Sequence, residues 1–226
     1  MHVTKRIATL AIAASLAVGG AAIAQPSAVA DPAPFGPIGS GWSEYNPNSK
    51  LQIQSRGEYT NYPRSVTHAT GPGGSYDRAG GVETFRLFNN GTNRVEVRVQ
   101  DNYTTGLRQF EGELRVSAPT NDESAMQIFG NDGPGATTLM IRSYSRNGGT
   151  LRGGGKDLVT NIYGKWVRIN VIHDATANKY SIYVNGALEA SANGPNGTHY
   201  FKYGVYGTLR TPSAQHQWRN VHFYRK

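Results

Sequence analysis

The sequence predicts an all-β fold, a two-sheet sandwich most simply arranged as a jelly roll. Three observations predict it: many short segments rich in β-branched and aromatic residues, glycine or asparagine turns between them, and no long segment of helical period. The chain has 226 residues, enough for one sizeable core and short for two domains once a leader is set aside. No internal repeat is visible.

Taken in order, Met1 to Arg6 is short and basic, and Ile7 to Ala24 is apolar and alanine-rich. Two small-x-small sites follow, Ala22-Ile23-Ala24 and Ala28-Val29-Ala30. Residues 1–30 therefore read as a signal peptide cleaved after Ala30. An uncleaved anchor is the alternative, weakened by the glycines and alanines of the run. Residues 31–48 are rich in proline and glycine and read as a flexible lead-in, with a single jelly-roll domain over 49–226.

Within that domain strands are expected at Leu51 to Gln54, Gly81 to Phe88, Asn93 to Val99, Gln109 to Val116 and Ser124 to Phe129. Others are expected at Thr137 to Tyr144, Trp166 to His173, Tyr180 to Val184, Tyr200 to Tyr206 and Gln217 to Tyr224. Asn89-Asn90-Gly91, Asn147-Gly148-Gly149 and Gly153-Gly154-Gly155 supply turns between them. Asn185-Gly186 is the clearest two-residue hairpin.

Composition narrows the function classes. There is no cysteine, so a secreted fold must rely on its core, without disulfides or thiolate chemistry. The formal charge is +8, and cleavage after Ala30, which removes Lys5 and Arg6 and no acid, leaves +6. Such a secreted, extracellular protein suits an acidic partner: a polyuronate, a cell wall or a small polycarboxylate. Ordinary solubility charge is the plain alternative. No helix-turn-helix pattern, zinc spacing or basic run points to nucleic acid, and no second apolar run points to a membrane once the leader is gone. A soluble monomer is expected.

Three strands carry chemistry. In Tyr200-Phe201-Lys202-Tyr203-Gly204-Val205-Tyr206, alternation sends Phe201, Tyr203 and Val205 to one face, and Lys202, Gly204 and Tyr206 to the other. The cation and the phenol then stand about 14 Å apart along the strand, with a bare glycine between them where a ligand can lie against backbone. In Arg94-Val95-Glu96-Val97-Arg98-Val99 the valines form a core face and Arg94, Glu96 and Arg98 share the other, about 6.8 Å apart. Two guanidiniums can grip carboxylates while the glutamate between them holds both in orientation. Read alone, the same pattern describes a solvated strand face. Ser124-Ala125-Met126-Gln127-Ile128-Phe129-Gly130 puts Gln127 with Ala125 and Phe129, opposite Met126 and Ile128, and its amide can donate to a carboxylate without adding charge.

Together these strands resemble the Arg-x-Glu-x-Arg, Gln-(Ile/Val)-His and Tyr-Phe-Lys-x-Gly-x-Tyr strands of family 7 polysaccharide lyases, the alginate lyases. They also resemble the citrate-binding-protein-like relatives of those enzymes. Met126-Gln127-Ile128-Phe129-Gly130, Thr137 to Arg142, Asn161-Ile162-Tyr163, Trp166 to Asp174 and Trp218-Arg219-Asn220-Val221 resemble the citrate-binding branch. With Gln109-Phe110-Glu111-Gly112 the likeness runs from about Gly81 to Lys226. It implies a concanavalin-like two-sheet architecture with a concave groove. It departs from the lyases at Phe129, where they carry histidine, because a phenyl ring neither takes nor gives a proton.

The resemblance implies β-elimination in an acidic polymer such as glucuronan, alginate or another uronate. A base removes the proton alpha to the carboxylate and an acid protonates the leaving glycosidic oxygen. Arg94 and Gln127 would neutralise the carboxylate, and Tyr206 would be base, acid or both. Arg98, Glu96 and Lys202 would bind the chain, and Arg142 and Tyr144 would extend the cleft. His68, in a loop-like Thr67-His68-Ala69-Thr70, is the first candidate to replace the missing histidine, and His199 the second. His173 is expected as a structural histidine at the core edge, with His216 and His222 peripheral. Tyr206 could instead only line the groove. The opposing reading is a non-catalytic protein that binds citrate or an acidic carbohydrate. No cofactor is implied and no metal-ligand spacing is present. Glu96 and Glu113 are not paired by anything in the sequence, so hydrolysis ranks below elimination.

Overall fold

The structure, a computed structural model, describes residues 35–130 and 136–226 of the chain. The expected leader, residues 1–30, and residues 31–34 of the lead-in lie outside the described residues. In chain order the strands are β1 (Ser43–Tyr45), β2 (Ser49–Ser55), β3 (Glu58–Pro63), β4 (His68–Gly71), β5 (Gly74–Ala79) and β6 (Val82–Leu87). Then come β7 (Arg94–Val99), β8 (Leu107–Ser117), β9 (Glu123–Phe129), β10 (Thr137–Tyr144), β11 (Thr150–Gly153) and β12 (Lys156–Thr160). The last are β13 (Trp166–Asp174), β14 (Lys179–Val184), β15 (Ala187–Asn193), β16 (Tyr200–Tyr206) and β17 (Ala214–Arg225). Among the described residues, one three-residue 3₁₀ turn at Arg146–Gly148 is the only helical element.

The strands form two antiparallel sheets, the jelly-roll sandwich that the sequence predicts. The first runs β15-β14-β13-β8-β17-β6-β5-β4, with β1 added on β17, and the second β12-β11-β10-β9-β16-β7-β2-β3. Polarity follows the period of two. Val95, Val97 and Val99 of β7 and Phe201, Tyr203 and Val205 of β16 are at most 2% exposed, and they face the first sheet. There they meet Phe85, Phe110, Leu114, Ile169 and Trp218, with the Phe110 and Trp218 rings edge-on at 5.3 Å. The Asn185-Gly186 turn between β14 and β15 has positive φ at both residues, 51° and 86°, which is what a two-residue hairpin needs.

Two features differ from the sequence expectation. Strands β1, β3, β4, β5, β11 and β12 were not foreseen, because their residues are polar or small and several lie at sheet edges. Most of β3 is exposed, so no apolar alternation marks it. The lead-in, expected to be flexible, is packed from residue 35 onward. Gly36 and Ile38 donate backbone N–H groups to Glu111 and Gln109 at 3.1 and 2.8 Å, and β1 pairs with the end of β17. This strap covers a buried Glu111–Arg168 pair (2.7 Å) on the outer face of the first sheet, where Tyr224 also donates to Glu111.

Candidate active-site groove

The outward face of the second sheet gathers the charged side chains. Register on β7 and β16 sets Lys202 opposite Arg98, Gly204 opposite Glu96 and Tyr206 opposite Arg94. On its other side β16 sets Lys202 opposite Gln127 of β9, and Gln127 lies opposite Met140 of β10. Three sequence segments more than 20 residues apart therefore meet across neighbouring strands.

Glu96 is the hub. It is fully buried, and its carboxylate accepts from Arg94 Nη1 at 2.6 Å, Gln127 Nε2 at 2.5 Å and Lys202 Nζ at 3.5 Å. Arg94 also donates Nε to Gln54 Oε1 at 3.1 Å, and its guanidinium lies 3.9 Å from the Tyr206 ring centroid. The expectation that Glu96 holds both arginines is corrected in part. Arg98 points elsewhere, to Asn102 Oδ1 and over the Tyr200 ring at 3.9 Å.

Although they face away from the core, Glu96, Gln127, Lys202, Arg94 and Gln52 are at most 7% exposed. Neighbouring side chains must wall them in, and Tyr59, Phe129, Tyr200 and Tyr206 flank the cations closely enough to do so. The polar cluster thus lies among aromatic side chains on this sheet face, a combination suited to sugar rings. Gln127 Oε1 is buried without a partner, an acceptor a ligand hydroxyl can satisfy.

Bare Gly204 backbone makes a notch between Lys202 and Tyr206, although a side chain there would point at β7 and the Phe85 ring in the core and not into the groove. Its φ is +143°, and a Cβ there would sit 2.4 Å from the Val95 carbonyl oxygen. The pairing of β16 with β9 also shifts between Tyr203 and Tyr206, a bulge that re-aims the strand end. His216, expected to be peripheral, is instead fully buried beneath this notch. Its Nδ1–H donates to the Gly204 carbonyl at 2.7 Å, and Ser143 donates its hydroxyl to Nε2 at 2.8 Å.

Arg142 and Tyr144 continue the same sheet on β10. Arg142 lies opposite Ser124 and is held by Asp122, while Tyr144 has the Arg146 guanidinium 5.3 Å from its ring.

His68 is not at this site. Thr67 to Thr70 is no loop: His68 begins β4, on the edge of the first sheet, where Ala69 takes the buried side. His68 turns outward, mostly exposed, and pairs with Asp77 at 2.7 Å across to β5. His199 faces the interior with His173, their ring centroids 4.6 Å apart, and Tyr103 hydroxyl pairs with His173 Nδ1 at 2.9 Å. No histidine thus enters the groove among the described residues.

These buried imidazoles make stability acid-sensitive. Burial pushes His173 and His216 down to about 4 and lowers His199 as well. Each binds its proton more readily once unfolded, so its stabilising contribution is full above about pH 6.5 and drains away as pH falls towards 4. Glu123, raised by burial to about 7, opposes this, because its folded form takes the proton first. Three histidines outweigh one glutamate. Calorimetry should therefore show Tm falling by on the order of 10 °C between pH 7 and pH 4, and a Tm that rose on acidification would refute this assignment.

A separate cleft of about 1570 Å³ opens beside β1, β2 and β17, with Arg64, Glu83 and Tyr203 in its lining. None of the residues named above for the groove lines it, and its Glu83 is already closed by Arg64, Tyr76 and Tyr203. Among the described residues no group of three or more His, Cys, Asp or Glu side chains gathers as a metal site.

A jelly-roll sandwich with an Arg-Glu-Arg strand, a glutamine and a Lys-Gly-Tyr strand on one sheet face agrees with the resemblance to family 7 polysaccharide lyases. The family described as alginate lyase matches residues 67–225, and the chain belongs to that family. A citrate-binding protein of Hevea brasiliensis is 35% identical over 137 residues, 58% of this chain and 56% of that protein. The chain thus spans little more than half the length of that relative. Among solved structures, alginate lyase AlgAT5 of polysaccharide lyase family 7 superposes with a TM-score of 0.60 at 19% identity, over 79% of this chain and 94% of that one. The alginate lyase from Corynebacterium sp. gives 0.61 at 17%, over 79% and 94%. Alginate lyase AlyC3 in complex with dimannuronate gives 0.61 at 15%, over 78% and 88%. These structural likenesses show the fold.

Proposed function

We propose that the protein is a secreted polysaccharide lyase that cleaves a uronate-containing polymer by β-elimination. One observation carries the reading: Arg94, Gln127 and Lys202 converge on a single buried carboxylate, with Tyr206 stacked on Arg94. The proton alpha to a uronate carboxylate is very weakly acidic, so charge delocalised onto that carboxylate must be stabilised. Arg94 and the Gln127 amide supply that stabilisation, with Arg98 and Arg142 engaging further along the chain. Tyr206, against the Arg94 guanidinium, exchanges a proton with the sugar. The aromatic walls hold the rings in register.

A second reading is favoured by Phe129 and by the citrate-binding relative. In it the same cations hold a small polycarboxylate or acidic sugar without cleaving it. Incubation with polymannuronate, polyguluronate and polyglucuronate separates the two. The lyase reading expects ultraviolet absorbance of unsaturated product to rise on at least one polymer. Inertness on all of them, together with saturable citrate binding by calorimetry, would replace it with the binding reading.

A further inference from the structure

Resting on the lyase reading, we propose that Lys202 is the base that takes the proton alpha to the uronate carboxylate, with Tyr206 as the acid that protonates the leaving oxygen. The need arises at Phe129, whose ring cannot move a proton. Lys202 stands directly beside it, with its ammonium nitrogen 5.4 Å from the Phe129 ring centroid. Register places Lys202 between Arg98 and Gln127, at the centre of the face that would grip the substrate carboxylate.

An ordinary surface lysine is fully protonated and a poor base. This one is 3% exposed, on a floor shared with a phenyl ring and a glutamine amide. Among the described residues its only close counter-charge is Glu96, at a loose 3.5 Å and already engaged at shorter range by Arg94 and Gln127. The charged groups facing it are Glu96, Arg94 and Arg98, all from β7; by register β9 presents Gln127 and β2 presents Gln52 beyond β7. Burial lowers the ammonium most, Glu96 pulls it back up, and Arg94 and Arg98 lower it further, leaving it at about 8. A substantial fraction of free amine is then present in mildly alkaline solution, which is what a general base requires.

The second partner is across the notch. Bare Gly204 backbone lies between Lys202 and Tyr206 along β16, so a sugar seated over it has the amine on one side and the phenol on the other. The proton balance closes. The Lys202 lone pair forms an N–H bond with the alpha proton, the C–H pair becomes the new C=C bond, and the C–O bond breaks with its electrons on oxygen. That oxygen takes the Tyr206 phenolic proton. The resulting ammonium and phenolate exchange a proton through water, restoring both groups with no other reactant consumed.

The test exploits the absence of cysteine from the chain. Lys202→Cys carries one thiol, which 2-bromoethylamine alkylates in denaturant to a lysine analogue of lower basicity before refolding. Lys202→Arg keeps the charge but has no free base at working pH. Both variants should lose kcat by about 10²–10⁴-fold, while calorimetric affinity of Lys202→Arg for an oligouronate stays within tenfold. Aminoethylation should recover at least tenfold, with the acid limb of the pH–rate profile moved to lower pH. Retention of kcat in either variant, loss confined to KM, or an acid limb that does not move on aminoethylation would overturn the role of Lys202 and leave the lyase reading standing. A wild-type protein inert on every polyuronate would defeat both.

Discussion

Glu96→Ala destabilises the protein by about 3–5 kcal/mol, the size expected when one member of a buried charge cluster is removed. Arg94 and Lys202 are 6% and 3% exposed, and both direct charge at this one carboxylate. Without it, two cations and the Gln127 amide remain on a floor that water does not reach well. Additional relaxation must expose them or pull β7 and β16 apart. Urea unfolding measures the loss directly, and at roughly 2–4 °C per kcal/mol for a domain of this size Tm should fall by about 6–20 °C. Glu96→Gln, isosteric and neutral, should fall between wild type and alanine. A Glu96→Ala protein within about 1 kcal/mol of wild type would mean that the cluster is not what holds the two strands' outer faces together.

Tyr206→Phe is expected to remove catalysis and spare binding. The hydroxyl is the only group lost, and the ring keeps its stacking against Arg94 at 3.9 Å. Loss of a single proton-transfer group lowers kcat by about 10²–10⁴-fold, whereas affinity for an oligouronate, set by Arg94, Gln127 and Arg98, changes little. Steady-state kinetics on the polymer that wild type cleaves best provides the measurement. A variant with full kcat would leave the phenol as a wall of the groove and nothing more.

Where one face of a strand is apolar and the other polar, the sequence was readable. The valines of β7 and the Phe201-Tyr203-Val205 set of β16 declare their inward faces, and the outward sets follow from the period of two. Gln127 could be placed the same way, because Met126 and Ile128 mark the opposite face. The turn at Asn185-Gly186 was legible from its chemistry alone. The failures share a cause, namely that the deciding partner is distant in sequence or is backbone. His216 looked peripheral because its partners are the Gly204 carbonyl and Ser143, from strands that only the fold brings together. His68 looked like a loop residue because β4 and β5 are short and polar and gain strand structure from pairing with each other and β6. The strap over residues 35–48 could not be read from proline and glycine content, since its anchors are buried Glu111 and Gln109 some 70 residues away. Burial of Lys202 was likewise invisible: alternation gives the side a residue faces, and the groups that enclose it come from β7 and β9 as well as its own strand.

The most direct test is a crystal structure of the Tyr206→Phe protein soaked with an uncleaved tri- or tetra-uronate. The predicted result is a uronate ring over Gly204, with its carboxylate within hydrogen-bonding distance of Arg94 and Gln127 and its alpha carbon facing Lys202. An oligomer ordered instead in the cleft beside β1, β2 and β17, or on the outer face of the first sheet, contradicts it.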